Sequence, residues 1–590
     1  MARLIGWLVL IGIAAAVPVG CGDATNEPTQ AGPAGSASSK SQLVFVSASE
    51  PNTLDPQRMS WLHSIRAAEC LYRPLMRYTL PQLELEPATA KSVEVSDDQL
   101  TYTFHLREDA AWSNGDPVTA HDFIAAWRRA LLPDFAADYV KLLFHIEGAE
   151  AFFDWRTAQL ERLANLPDNE RAQAARQAWN EAIVHFDETV GVEAADDRTL
   201  VVTLAQPTPY FLELCAFITF APNHAGTLET MMTLNETSGM MTIAETYWTD
   251  PDRLVSNGPY VLADHAFKQY MQLDPNPHYW DRENVANGGI RMKVIENPQS
   301  ALQTYSQGGA HWLPDIPTAT SLAADLVKSG RRDVHAAPWA GTYFYSFNCL
   351  PTLADGTANP LAQRAVRRAL SLAINRADVV NYVTGMKQPI ARSFVPSGKI
   401  PGYAPPTDEG VTFNPGKAKE LLAMAGHPNG EGLENLTLLY NTGAGHEGIA
   451  QAIRSMWQDH LGITVSLEGV EVSHFGERLK NQKYTIARAA WIGDYRDPTT
   501  FLDKYRTNDG NNDAKFSHQQ YDRLLDQAKQ ATDPAERMDL LRRAEAILLR
   551  EQPIAPIFHF ITLHVFNPQE VKGLDLNAWN VRRLERVSVR

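Results

Sequence analysis

Hydrophobic and polar positions alternate along Leu100-Thr-Tyr-Thr-Phe-His-Leu106, the period of a half-buried strand. Weaker alternation over Leu43 to Ser47 marks a strand that opens the folded body, and Thr199 to Leu204 repeats the two-residue period. Asn114-Gly115 signals a tight turn, after which Thr119 caps a helix from Ala120 to about Leu131 with Asp122 in its first turn. Residues 148–183 are charged, poor in Gly and helical in pattern, an exposed helical insertion. Further on, Ser256 to Tyr260 reads as a turn before a strand, and Thr342-Tyr-Phe-Tyr-Ser-Phe347 is strongly β-prone. The C-terminal half then predicts a helix over Gln363–Ala373, a helix over Pro415–Ala425 stopped by Gly426, and a buried strand over Leu436–Tyr440. A helix over Ile449–His460 and a strand over Ile463–Leu467 follow. Strand–helix–strand order of this kind predicts an α/β protein with mixed sheets.

The N-terminus departs from this pattern. Arg3 precedes an apolar run, Leu4 to Val17, too short to span a bilayer comfortably, as in a secretion signal over residues 1–21. The run ends Val17-Pro-Val-Gly-Cys21, small residues before a Cys that read as a lipobox, with Pro18 unusual there. Either Cys21 accepts a lipid, or the segment is a plain cleaved signal. Residues 22–41 are rich in Ala, Gly, Ser, Thr and Pro and read as a flexible tether. With Cys21 set aside, Cys70, Cys215 and Cys349 are odd in number and fit no zinc spacing, so buried thiols are expected.

Composition narrows the function. The chain has 590 residues, 44% hydrophobic and 21% charged, enough for a large core in two to four lobes. A net charge of -16 argues against nucleic acid, whose binding needs a basic surface. No nucleophile elbow, zincin helix or Walker loop is present, and the 17 His show no ligand cluster. The acid pairs Asp97-Asp98 and Asp196-Asp197 sit in turns before strands. The sequence therefore predicts no enzyme, no metal and no cofactor.

Two stretches carry a resemblance: Trp112 to Phe123, and Ala487-Arg-Ala-Ala-Trp-Ile-Gly-Asp-Tyr-Arg-Asp-Pro-Thr-Thr-Phe501. With Thr103 to Arg107, Ser256 to Tyr260, Asn276 to Asp281, Thr342 to Asn348 and Leu439-Tyr-Asn-Thr442, they resemble the large bacterial periplasmic oligopeptide-binding proteins that feed ABC importers. The resemblance implies a periplasmic-binding-protein type II-like fold: two lobes around a cleft plus an inserted lobe. Lobe I would be discontinuous, over 42–82, 196–338 and 560–590. Lobe II would be an insertion over 83–195, and lobe III, over 339–559, would close on the ligand. It also implies short peptides and permease subunits as partners, a monomer, and a location in the periplasm or at the cell surface, lipid-anchored through Cys21.

Site roles follow only from the resemblance. Asp494 would receive the peptide's α-amino group, or else be an N-cap or loop Asp. Ala490 and Ile492 would offer backbone groups to an extended peptide, with Trp491 between them. Tyr343 and Tyr345 would lie near the ligand or fill the sheet core. Asn441 and His446 match cleft-lining positions, and His446 would meet a peptide carboxylate or be a solvated loop residue. Arg488 would bind the carboxyl end or brace the cleft. Gly341 and Ile492 stand where the enteric pattern has a Cys pair, so that disulfide is absent. Leu479 replaces a family Arg, flanked by Arg478 and Lys480, and Val472 replaces a family Trp, which puts carboxylate recognition in doubt. Pro51 removes one backbone donor from the first cleft segment. Rival readings are another solute (a dipeptide, a murein peptide, a metal chelate), a secreted hydrolase or a peptide sensor.

Overall fold

The computed structural model describes residues 40–318, 320–407 and 411–590. The signal segment, Cys21 and residues 22–39 of the tether lie outside the described residues. Lys40–Arg590 forms one compact unit.

Among the described residues, ten strands make one mixed sheet. Its spatial order is Tyr260–Ala266, Tyr270–Pro275, Ile290–Val294, Leu43–Ser47, Trp312–Leu313, Ile554–Phe566, Val334–Phe347, Ile486–Ile492, Thr437–Asn441 and Ser466–Val470. Leu43–Ser47 is parallel to its neighbour Ile290–Val294, and buried at Leu43, Phe45, Val46 and Ser47, as a central parallel strand must be. Two long strands, Val334–Phe347 and Ile554–Phe566, pair antiparallel at the sheet's middle and join its two halves. Each half packs helices on its own core. Trp112, Trp127 and Tyr260 anchor one core, and Tyr345, Trp457 and Ile486 another.

A separate four-stranded antiparallel sheet comprises Ala90–Val95, Thr101–Leu106, Thr199–Thr203 and Val192–Asp196. Its Val192–Asp196/Thr199–Thr203 hairpin straddles residue 195, where the resemblance placed a lobe boundary. Likewise Ile554–Phe566 runs through the expected boundary at 559/560.

Local signals explain most elements. The Ala120–Leu131 helix starts where Asp122 Oδ2 accepts the Thr119 backbone N–H at 2.8 Å and the Trp112 indole N–H at 3.1 Å. The insertion is two helices, Ala149–Ala164 and Asp168–Thr189. The structure corrects two expectations. The predicted strand over Ile463–Leu467 is observed at Ser466–Val470, because Ile463 and Val465 enter the core before pairing with Thr437–Asn441 begins. The helix expected from Ile449 starts at His446.

Candidate binding site

A cavity of about 390 Å³ lies between the Leu62–Leu71 helix, the loop after Ile492 and the segment Trp579–Arg583. That volume suits a small organic ligand or a few residues of a peptide. Apolar walls come from Ile65, Phe217, Trp339, Ile492 and Trp579.

Asp494 is the polar focus. The chain reaches it through Gly493, where a Cβ would come within 2.8 Å of the Trp579 ring, so only glycine permits the approach. The loop is held on both sides. The Asp494 N–H donates to Thr500 Oγ1 at 3.0 Å, and Asp497 takes a buried bidentate bond from Arg537 at 2.6 and 2.9 Å. The half-buried Asp494 carboxylate accepts one hydrogen bond, from the Tyr139 hydroxyl at 2.9 Å. Among the described residues no basic side chain forms an ion pair with it. Burial pushes its pKa up to about 6, against the opposing pull of the Tyr139 bond.

The backbone beside Asp494 is equally incomplete. Ile486–Ile492 pairs with Val334–Phe347 along its whole length, but with Thr437–Asn441 only at Ile486 and Ala487. One edge of Arg488–Ile492 is therefore unpaired. The Gly493 N–H bonds the Ala340 carbonyl on the paired side at 2.9 Å. Alternation along the strand then turns the N–H and C=O groups of Ala490 and Ile492 to the free edge. Arg488 through Asp494 are all half-buried along this edge.

Of the expected site residues, Ile492 and Asp494 line the cavity. Gly341 pairs opposite Ile492, and a Cβ there would press on Ile492 Cγ1 at 2.9 Å. Trp491 turns to the other face of the sheet, its indole N–H on the Thr500 carbonyl at 2.5 Å and Lys504 over its ring. Tyr343 and Tyr345 do not reach the cavity; at 1% and 0% exposure they fill the core under the sheet. Arg488, Asn441 and His446 gather toward the far end of the free edge. The Arg488 guanidinium stacks over Tyr343 and reaches Asn441 Oδ1 at 3.5 Å. His446 is buried against the Tyr343 hydroxyl at 3.4 Å, not a solvated loop residue. Burial, then the Arg488 charge, lower its pKa to about 3, so it offers a neutral ring. Arg478 is committed to Glu468 and the Lys483 carbonyl, and Leu479 packs near Phe475. Neither substitutes for the missing family Arg.

Several cavity residues carry no local sequence signal. Tyr139 lies 355 positions from Asp494, and Glu213 bonds the Arg496 N–H at 2.6 Å from 283 positions away. Burial pushes Glu213 up to about 7 despite nearby Arg496. Cys70, Cys215 and Cys349 are free thiols; the first two are buried as expected, and Cys349 is half-buried. No described helix is long and apolar enough to cross a membrane, and no described His, Cys, Asp and Glu cluster has metal-binding geometry.

A mixed sheet shared by two halves, with a walled cavity offering an unmatched carboxylate beside an unpaired strand edge, defines a cleft-type ligand-binding protein. The chain belongs to the bacterial extracellular solute-binding proteins, family 5: the model described as "Bacterial extracellular solute-binding proteins, family 5 Middle" matches residues 84–513. It is 33% identical over 499 residues to the oligopeptide-binding protein OppA of Bacillus subtilis, covering 83% of this chain and 82% of that protein. Against the periplasmic murein peptide-binding protein MppA of Escherichia coli it is 30% identical, covering 91% of each chain. The solved structure of the E. coli murein tripeptide-binding protein MppA superposes with a TM-score of 0.73 at 28% identity, over 94% of this chain and 99% of that one. Haemophilus influenzae OppA, solved in complex with the peptide RPPGFSPFR, superposes with a TM-score of 0.71 at 28% identity, over 93% and 99%. These are type II-like peptide-binding folds, the fold class expected from the sequence.

Proposed function

We propose that the protein captures short peptides in this cavity and along the free edge of Ile486–Ile492, and delivers them to an ABC import permease. The observation that carries the reading is Asp494: a half-buried carboxylate without a cation, at the end of an unpaired strand edge. A peptide's ammonium group supplies the missing charge, and its backbone supplies the missing ladder. Backbone pairing takes any sequence, which suits a receptor for many peptides. The peptide runs antiparallel to the strand, its amine at Asp494 and its carboxylate toward Arg488. The six residue steps from Arg488 to Asp494 span about 20 Å, room for roughly five extended peptide residues.

The lobes expected from the sequence divide the work. Lobe III carries Asp494 and the strand, the other two carry Tyr139 and Glu213, and closure brings them together. The apolar N-terminal run before Cys21 supports export and a lipid anchor, with residues 22–41 as the tether. The protein acts as a monomer at the periplasmic or outer face of a bacterial membrane. It performs no catalysis and needs no cofactor.

Native mass spectrometry of the purified protein, before and after mild denaturation, tests the binding role. The expected result is a ladder of co-purified short peptides released on unfolding. A protein that carries none, and ignores a mixed peptide library in a thermal-shift assay, does not bind peptides.

A further inference from the structure

The cavity wall opposite Asp494's loop holds charge that the reading above does not use. Most arginines lining the cavity are already matched. Arg66 makes a bidentate pair with Asp315 at 2.6 and 3.0 Å, Arg73 meets Glu585 at 2.7 Å, Arg77 meets Glu86 at 2.7 Å, and Arg583 meets Glu585 at 2.9 Å. Arg496 donates to the Leu83 carbonyl and covers the Tyr78 ring. Arg582 is different. It is 4% exposed, its Nη1 bonds only the adjoining Val581 carbonyl, and among the described residues its Nε and Nη2 bond nothing. No carboxylate among the described residues pairs with it. Two positions away Asn580, 6% exposed, leaves both Nδ2 and Oδ1 without a partner. Both residues line the cavity. A buried guanidinium and a buried amide left unmatched on the same cavity lining are costly, and a ligand group that matches them recovers that cost.

The segment is held in place. Asn577 Nδ2 donates to the Val581 carbonyl at 2.8 Å while its Oδ1 accepts the Trp579 N–H at 3.1 Å, and the Trp579 indole bonds the Lys399 carbonyl at 2.9 Å. Burial, with Arg66 nearby, lowers the Arg582 pKa to about 10 against the pull of the Asp315, Glu69 and Asp575 carboxylates, so it stays cationic at neutral pH. Glu69, on the facing helix, is pushed up to about 7 by burial, so its opposing charge is partly lost.

Resting on the peptide-receptor reading, we infer that Asn580 and Arg582 form a subsite for a ligand carboxylate within the cavity that Asp494 serves. The group is either an acidic side chain near the peptide's amino end or the terminal carboxylate of a very short peptide. The protein thus favours ligands with an amine and a carboxylate close together.

Calorimetric titration of the full chain separates the sources. Tripeptide amides carrying Glu or Gln at each position in turn report a side-chain carboxylate. Alanine di- and tripeptides as free acids or amides report a terminal one. The expected result is a preference of at least about tenfold for the charged member of one series, falling to near unity in Arg582→Met and reduced in Asn580→Ala. Equal affinities within both series of the wild-type protein overturn the subsite whatever the variants do, as does a preference that persists in Arg582→Met. If the uncharged amides bind without preference, the receptor reading stands and the subsite falls. If no peptide binds, both fall.

Discussion

A half-buried carboxylate with no basic partner among the described residues costs stability, and Asp494 is such a group. Its pKa, about 6 against an ordinary 3.8, means that the native state holds a proton more readily than the unfolded chain. Asp494 therefore lowers the stability of the ligand-free protein as pH rises from about 4 to 6, and the full penalty persists above 6. Asp494→Asn removes that penalty; a thermal melt at pH 7.5 should show a midpoint about 1–2 °C higher. If Asp494 holds a peptide amine as proposed, the same variant should lose a charge-assisted bond worth about 2–3 kcal/mol, or roughly a hundredfold in Kd by calorimetry. In the wild type, affinity should weaken as pH falls through 6, where Asp494 takes up a proton. It should weaken again above about 8, where a peptide's α-amino group loses one. A flat affinity profile between pH 5 and 7 would sink the Asp494 assignment. The resemblance around Trp491 pointed to Asp494, and Asp494 lines the cavity. Tyr139, Asn580 and Arg582 were not legible in the sequence, because each is defined by what it meets, or fails to meet, across hundreds of positions.

The strand edge makes its own demand. Since Ala490 turns its N–H away from Val334–Phe347, Ala490→Pro leaves that ladder intact and deletes one donor from the free edge. Peptide affinity should fall about three- to tenfold, the worth of one hydrogen bond, and by the same factor for peptides of unrelated sequence. A loss confined to some side chains would mean that pockets, not backbone pairing, do the holding. Alternation and β-propensity were enough to find the Thr342–Phe347 strand, but they say nothing about neighbours. Whether Tyr343 faces ligand or core depends on which elements cover that face of the sheet, and here the His446–Leu461 helix covers it, with the His446 ring 5.6 Å from Tyr343. For the same reason His446, six residues past the predicted strand, was open to a loop reading. The helix that buries it begins at that residue, after Gly445 in the left-handed region. Capping at Thr119 needed only neighbours in sequence and was read correctly.

At the scale of the whole molecule, the loop that presents Asp494 also ties the cavity's walls together. Tyr495 stacks on Tyr210 at 4.7 Å and 11°, the Arg496 N–H meets Glu213, and the Arg496 side chain reaches Leu83 and Tyr78. None of these contacts requires a particular peptide. They therefore set how firmly the walls hold together for every ligand alike, whereas in the function proposed above Asp494 and the strand edge set whether a ligand is recognised. Arg496→Ala removes the side-chain contacts but keeps the backbone bond to Glu213. Recognition should survive while retention weakens. Stopped-flow displacement should show dissociation faster by roughly three- to tenfold, with association changed far less, because a lost contact of this kind acts mainly on koff. Small-angle scattering of the ligand-free variant should show a larger radius of gyration than the wild type as the walls part more often. Unchanged dissociation would mean that the peptide's own bonds, not the loop, hold the two sides of the cavity together.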